Sequence, residues 1–316
     1  MEEVFIGTKE DGYTIYLNEP LIFSDTMNED IATSHKLIIG NCGELPELSD
    51  ESVHLIVTSP PYFNAPFDYK NLFKGYNEFL ILMEDFANES FRVLQSGRIA
   101  VVNVDDMLVD GEKFPIVADV IKIFQKAGFR YRDRIVWKKP DGYTRISRRS
   151  GVVLQNPYPM YFYPDNVQES IVIFQKGRFD YQSIPKEVRK RSMIDVKEFL
   201  TKKWFTTVWD IMNVRPGSEL EKNIAAFPDE LPYRCIKLFS YVGEIVLDPF
   251  VGSGTTMKVA RQLKRNSIGI ELKKELIPIV KKKLGFEGQT RLTEDKDGFQ
   301  VIMRKNVQLK PQIKEK

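Results

Sequence analysis

Cysteine and histidine are scarce: the 316 residues include two of each. Cys42 and Cys235 cannot build a disulfide framework or a cysteine-rich zinc cluster. His35 and His54 are too few for a histidine-based metal centre or histidine acid–base chemistry, so no metal is expected. No run of about 18 apolar residues occurs, and the acidic start Met1-Glu2-Glu3 is not that of a signal peptide. A cytoplasmic protein without a membrane role is therefore expected. Internal repeats and low-complexity tracts are also missing. The net charge is only +2, so a polyanion would have to be met by a local patch rather than by the field of the whole molecule. The hydrophobic fraction of 42% is that of a globular chain, long enough for one large or two modest cores.

The most informative stretch is 244–272. Glu244–Leu247 is a short apolar run suited to one buried parallel strand, ending at Asp248. Pro249-Phe250-Val251-Gly252-Ser253-Gly254 follows, Thr255 opens a helical pattern to about Leu263, and Ser267–Glu271 is a second apolar run closed by an acid. This is the order of a nucleotide-binding βαβ unit. Gly252 and Gly254 allow close approach of backbone to a ligand, and the helix start offers unpaired N–H groups. Glu271 is placed to take two ribose hydroxyls, and Asp248 lies where open α/β sheets bind ligands. A tight strand–helix turn with no ligand would read the same way. The spacing is neither GxGxxG nor a phosphate loop ending in Gly-Lys-Ser/Thr, which points to a ligand without a pyrophosphate.

Upstream, Val4–Lys9 and Tyr13–Leu17 flank Asp11-Gly12, a hairpin signal. Strands are expected at 36–40, 52–58, 98–104, 129–137 and 168–174, and helices at 77–94, 114–127 and from about 229 to Ser240. The strand at 52–58 runs into Ser59-Pro60-Pro61-Tyr62. Two prolines can neither continue a ladder nor enter a helix interior, so the chain leaves the sheet stiff and extended. That suits a backbone carbonyl and a side chain aimed at one small group, with Tyr62 offering a flat face; a proline-terminated strand with a surface tyrosine is the plainer alternative. Residues 138–167 carry Lys138, Lys139, Arg145, Arg148 and Arg149 among tyrosines, and 177–207 carry Lys190, Arg191, Lys202 and Lys203 with Trp204. Such interleaving fits phosphate contact and base stacking, and equally a solvated loop with locally packed aromatics.

The ordered set of motifs resembles the S-adenosylmethionine-dependent DNA amino-methyltransferases of the N4-cytosine/N6-adenine type, in the beta arrangement where the catalytic motif precedes the cofactor motif. The resemblance rests on Thr58-Ser-Pro-Pro-Tyr62, Val208-Trp-Asp-Ile211 with Asn223-Ile-Ala-Ala-Phe-Pro228, Val246–Thr256 and Ile268-Gly-Ile-Glu271, and covers roughly 36–284. It implies an α/β fold: a doubly wound, mostly parallel Rossmann-like methyltransferase sheet of about seven strands in permuted order. It also implies S-adenosyl-L-methionine as cofactor, with Asp248, Phe250, Gly252 and Gly254 at its methionine end, Ser253 and Thr255 also among the cofactor-binding residues, Glu271 on the ribose and Phe227 nearby. Asn41, placed with the cofactor residues, stands where the family often has Asp, and Asn223 where it often has His.

By the same resemblance Ser59, Pro60, Pro61 and Tyr62 are catalytic. Ser59 Oγ and the Pro60 carbonyl would accept the N–H groups of a flipped-out base, and Tyr62 would stack on it. The expected partner is double-stranded DNA, with a cognate restriction endonuclease and a homodimer as further possibilities. Ser-Pro-Pro-Tyr resembles the N4-cytosine branch; the N6-adenine branch usually has Asp at position 59. The rivals are a nicotinamide-dependent oxidoreductase, the same chemistry on RNA or protein, and a non-catalytic DNA-binding protein. The expected organisation is an N-terminal extension (1–35), a catalytic half (36–137), a basic and aromatic insertion (138–167), a sheet strand (168–176), a candidate target-recognition segment (177–207), a cofactor-binding half (208–285) and a C-terminal tail (286–316).

Overall fold

The computed structural model describes residues 31–63, 72–109, 111–140, 159–160, 167–212, 226–287 and 297–304, and the backbone of 2–6 and 13–17. Its strands are β1 (Glu2–Ile6), β2 (Tyr13–Leu17), β3 (Ser34–Ile39), β4 (Val53–Thr58), β5 (Leu94–Val104), β6 (Met107–Val109), β7 (Glu112–Phe114), β8 (Arg130–Lys138), β9 (Gln168–Gln175), β10 (Val208–Asp210), β11 (Ile245–Asp248), β12 (Asn266–Glu271) and β13 (Gly298–Met303). The helices are α1 (Tyr76–Val93), α2 (Ile116–Lys126), α3 (Lys186–Arg191), α4 (Val196–Thr201), α5 (Glu230–Phe239), α6 (Thr255–Gln262) and α7 (Ile277–Lys283).

A nine-stranded sheet in the order β10-β8-β9-β5-β4-β11-β12-β3-β13 carries the molecule. Within it, only β9 runs antiparallel to its neighbours. The central strands read as continuous apolar runs because both faces are covered. In β4, Val53 and Ile56 join the cluster under α1 and α2, whereas Leu55 and Val57 join the cluster under α5 and α6. In β5, Ala100, Val102 and Val104 face the first layer, and Ile99 and Val101 the second. Helix α1 buries Phe79, Leu82, Met83, Phe86, Ala87, Ser90 and Val93, a stripe at helical spacing.

The sheet has nine strands rather than about seven. The two outermost were not legible in the sequence. β10 has three residues, too few to show a period, and β13 is an edge strand whose side chains are only half-buried or exposed, inside what reads as a polar tail. The hairpin forms with β1 at 2–6 rather than 4–9. The segment 177–207, expected to be irregular, contains α3 and α4.

Gly269 in β12 is where the sheet is most closely covered by α6 and the glycine turn. A Cβ there would lie 2.6 Å from Met257 Sδ and 2.8 Å from Val251 Cγ2. Gly269→Ala should therefore cost roughly 1–3 kcal/mol of stability by overpacking. Urea unfolding of the variant measures this, and an unchanged midpoint would show that α6 can retreat freely.

Candidate active site

The carboxyl ends of β4, β5, β11 and β12 lie side by side, and on them the sequence places Ser59, Asp105, Asp248 and Glu271. Polar side chains collect here because the strand interiors are sealed by helices on both faces, leaving the ends as the place where side chains can meet a ligand.

Asp248 is buried at 2% exposure. Its Oδ1 accepts from Thr58 Oγ1 at 2.6 Å and from the Phe250 N–H at 3.1 Å. Burial raises its pKa from 3.8 to about 6, against the opposing pull of the Thr58 and Thr256 hydroxyls. Glu271, equally buried, accepts from the Gly252 N–H at 3.0 Å and the Lys273 N–H at 2.8 Å. These bonds tie the glycine turn to the next strand. Gly252 and Gly254 both have positive φ, +51° and +89°, and a side chain at Gly254 would also press on Val280 at 3.1 Å. The turn therefore needs glycine for its conformation, a reason separate from the ligand approach read from the sequence.

The other residues expected at this end fall out as follows. Ser253 Oγ accepts from Lys283 Nζ at 2.6 Å, and Thr255 Oγ1 accepts from the same amine at 3.4 Å. Phe250 meets Phe86 edge to face at 5.0 Å. Asn41 Oδ1 accepts from the Gly43 N–H at 3.0 Å, and its carbonyl accepts from Arg304 Nη1. Phe227 is 8% exposed within the apolar cluster that holds Leu231, Cys235 and Val246. Asn223 lies outside the described residues.

Ser59, Pro60, Pro61 and Tyr62 leave β4 beside this group. Ser59 Oγ donates to the Asn103 carbonyl at 2.9 Å. Its proton is thus engaged, and what remains to the hydroxyl is its capacity to accept. Tyr62 donates its hydroxyl to Glu169 Oε2 at 2.6 Å. Behind it, Phe63 is locked among Phe73, Tyr76, Phe79 and Phe114, with centroids 5.0 Å apart for Phe63–Phe114. The proline pair is therefore clamped at both ends.

Glu169 sits at the start of β9, 5% exposed. Besides Tyr62 it accepts from Asn103 Nδ2 and from Lys139 Nζ, each at 2.6 Å. Asp105 is pushed up to about 7, first by burial and then by the charge of Glu169, with Lys113 and Lys139 opposing. Sequence reasoning missed Asn103, Asp105 and Glu169. The available signal was a polar residue at the end of an apolar strand, in RIAVVNVDD and QESIVIF; their convergence on Tyr62 is tertiary.

The basic residues expected to hold DNA separate into groups. Lys139 is not at the surface: it is 6% exposed and paired with Glu169, so its charge is spent internally. Lys138 is half-exposed and lies 3.6 Å from Asp210. Lys190 and Arg191 lie in α3, which packs at the opposite end of the sheet. There Ser192 Oγ accepts from Val242 N just before β11, and Phe179 stacks on Tyr241. The fold does not bring these two residues to the catalytic end. Lys202 is exposed but bridges Glu198 and Glu230, at the start of α5; the neighbouring Asp229 pairs with Lys258 in the first turn of α6, so Lys202 and the exposed Lys203 stay on the catalytic side. Arg145, Arg148 and Arg149 lie outside the described residues.

Asp248 holds its proton more tightly folded than unfolded. Its contribution to stability is fully present below about pH 3.8 and is lost as pH rises through about 6. In Asp248→Asn the amide oxygen can keep both bonds without a charge to bury. The stability of this variant relative to the parent should rise by roughly 3 kcal/mol from about pH 4 to about pH 7.5. Thermal unfolding across that range tests it, and a pH-independent difference would place the buried charge elsewhere.

No helix among the described residues is long and apolar enough to cross a membrane, and no group of His, Cys, Asp and Glu among them could hold a metal ion. A DNA methylase profile (N6_N4_Mtase) matches residues 53–282. The type II methyltransferase M.MjaI of Methanocaldococcus jannaschii is 34% identical over 305 residues, covering 85% of this chain and 97% of the relative. M.MthZI of Methanothermobacter thermautotrophicus is 31% identical over 267 residues, covering 76% and 73%. Among solved structures, a DNA modification methylase of Thermus thermophilus, TTHA0409, complexed with S-adenosyl-L-methionine, superposes with a TM-score of 0.66 at 29% identity, over 85% of this chain and 98% of that one. The cytosine-N4-specific PvuII DNA methyltransferase, at 19% identity and a TM-score of 0.58, shares the fold, over 85% of this chain and 96% of that one.

Proposed function

This chain belongs to the N6/N4 DNA methylase family, and we propose that it methylates the exocyclic amino nitrogen of a base in a specific duplex sequence, N4 of cytosine in preference to N6 of adenine. It is a methyltransferase whose cofactor is S-adenosyl-L-methionine. The reading is supported above all by Ser59, which donates its hydroxyl to the Asn103 backbone carbonyl and follows directly on Thr58, the residue bonded to Asp248.

The residues present fit that cofactor. The positive-φ turn at Gly252 and Gly254 has no Cβ to keep a ligand from its backbone, and two N–H groups fix the Glu271 carboxylate beside it, an acceptor of the kind a ribose diol calls for. Asp248, Phe250 and the turn would hold the methionine end. Bound there, the cofactor supplies an electrophilic methyl group on a sulfonium.

The amino nitrogen of cytosine or adenine is a poor nucleophile because its lone pair is delocalised into the ring. Ser59 Oγ and the Pro60 carbonyl would accept its two N–H groups, favouring a more tetrahedral nitrogen aimed at the methyl. Neither group is a strong base; they orient, and the proton passes to solvent. Tyr62 would stack on the base, which has to be flipped out of the duplex at a cost of a few kcal/mol. Serine at position 59 in place of the aspartate usual in the adenine branch favours cytosine. Lys138, Lys202 and Lys203, with the arginines of 145–149, are the proposed phosphate contacts, and the type II relatives favour a role as the modification half of a restriction system with a cognate endonuclease.

Ser59→Ala should lower methyl transfer by on the order of 100-fold while cofactor affinity, measured by calorimetry, stays within about twofold; parallel loss of both would remove Ser59 from the acceptor role. Digestion of duplex DNA after transfer from labelled cofactor, with mass spectrometry of the nucleosides, decides the base. N4-methylcytosine is expected, and N6-methyladenine would overturn the cytosine assignment alone.

A further inference from the structure

The Ser-Pro-Pro-Tyr loop is not held by its prolines alone. One residue of the neighbouring strand, Asn103, meets Ser59 with its backbone carbonyl and is joined to Tyr62 through Glu169. Its carbonyl accepts the Ser59 hydroxyl at 2.9 Å, and its Nδ2 donates to the same Glu169 oxygen that receives the Tyr62 hydroxyl, each at 2.6 Å. Lys139 neutralises the other oxygen of Glu169. The set spans three adjacent strand ends and the loop itself.

Asn103 is a poor choice for the core. It is 1% exposed between Val102 and Val104, and its Oδ1 has no partner among the described residues. An apolar residue would leave no buried acceptor open at that point. What the amide supplies is a donor to the Glu169 oxygen that also receives Tyr62, while Ser59 is met by the Asn103 backbone carbonyl. Glu169 and Lys139 are likewise a buried ion pair, which stabilises a fold little by itself but fixes geometry when its remaining lone pairs are used.

We propose that Asn103, Glu169 and Lys139 are positioning residues for the methyl transfer: Glu169, held by Lys139 and the Asn103 amide, sets the plane of the Tyr62 ring against the target base. This rests on the reading of Ser59 and Tyr62 given above. None of the three need touch the cofactor, so their effect falls on turnover and not on its binding.

The test is a cycle of four proteins: the parent, Tyr62→Phe, the apolar pair Lys139→Met with Glu169→Leu, and all three changes together. Methyl transfer to duplex DNA, cofactor affinity by calorimetry and thermal unfolding are measured on each. Tyr62→Phe and the apolar pair should each lower kcat about tenfold, with cofactor affinity within about twofold, and the triple variant should be no slower than the apolar pair. Losses that multiply, or a fall in cofactor affinity parallel to kcat, would overturn the positioning role. If the apolar pair does not fold, Tyr62→Phe decides alone, since that hydroxyl has no core to support; parental turnover in it overturns the proposal. A parent that transfers no methyl to DNA refutes the assigned function and this inference together. An active parent with multiplying losses refutes only the inference.

Discussion

The Thr58–Asp248 hydrogen bond, 2.6 Å and buried, is the stitch on which the site depends. It closes the seam where β4, leading to the Ser-Pro-Pro-Tyr loop, lies against β11, leading to the glycine turn. The ladder there is short, pairing only Val246 with Leu55 and Leu247 with Ile56. The two halves of the chain are brought together by this seam although 190 residues separate Thr58 from Asp248. A carboxylate in that position is expensive to bury, and its raised pKa records the cost. Hydroxyl and backbone donors offset part of it. The same group ties the strand that leads to the Ser-Pro-Pro-Tyr loop to the turn that follows β11.

A second constraint acts on the other side of the loop. Strands with both faces covered must end in polar residues if they are to reach a ligand, yet each polar residue near the core needs partners. The chain resolves this by sharing: Glu169 serves Tyr62, Asn103 and Lys139 at once. Asp105 next to it is left with a pKa near neutrality because burial and the Glu169 charge both disfavour its ionised form. The aromatic packing of Phe63 against Tyr76 and Phe79 in the first turn of α1, and against Phe114, completes the support.

Basic side chains show how little composition says about location. Lys139, Lys190, Arg191 and Lys202 belong to similar-looking stretches, yet one is buried against a carboxylate, two lie at the far end of the sheet, and one bridges two glutamates near the catalytic end. Charge available to a polyanion is what remains after internal pairing.

Local pattern determined the elements that run through the core. The apolar runs of β4, β5, β11 and β12, the stripe of α1 and the glycine turn before α6 were legible because each is dictated by its own few residues: continuous burial, a 3.6-residue period, a positive φ. The motif order likewise indicated a permuted methyltransferase sheet and the residues at its carboxyl end. Tertiary structure alone decided what pairs across the sheet. β10 and β13 are too short or too exposed to carry a period, so only their neighbours make them strands. Glu169, Asn103 and Lys139 come from three different strand ends, and no spacing in the chain brings them together. Their meeting point is set by strand order and register, which depend on contacts between residues far apart in sequence.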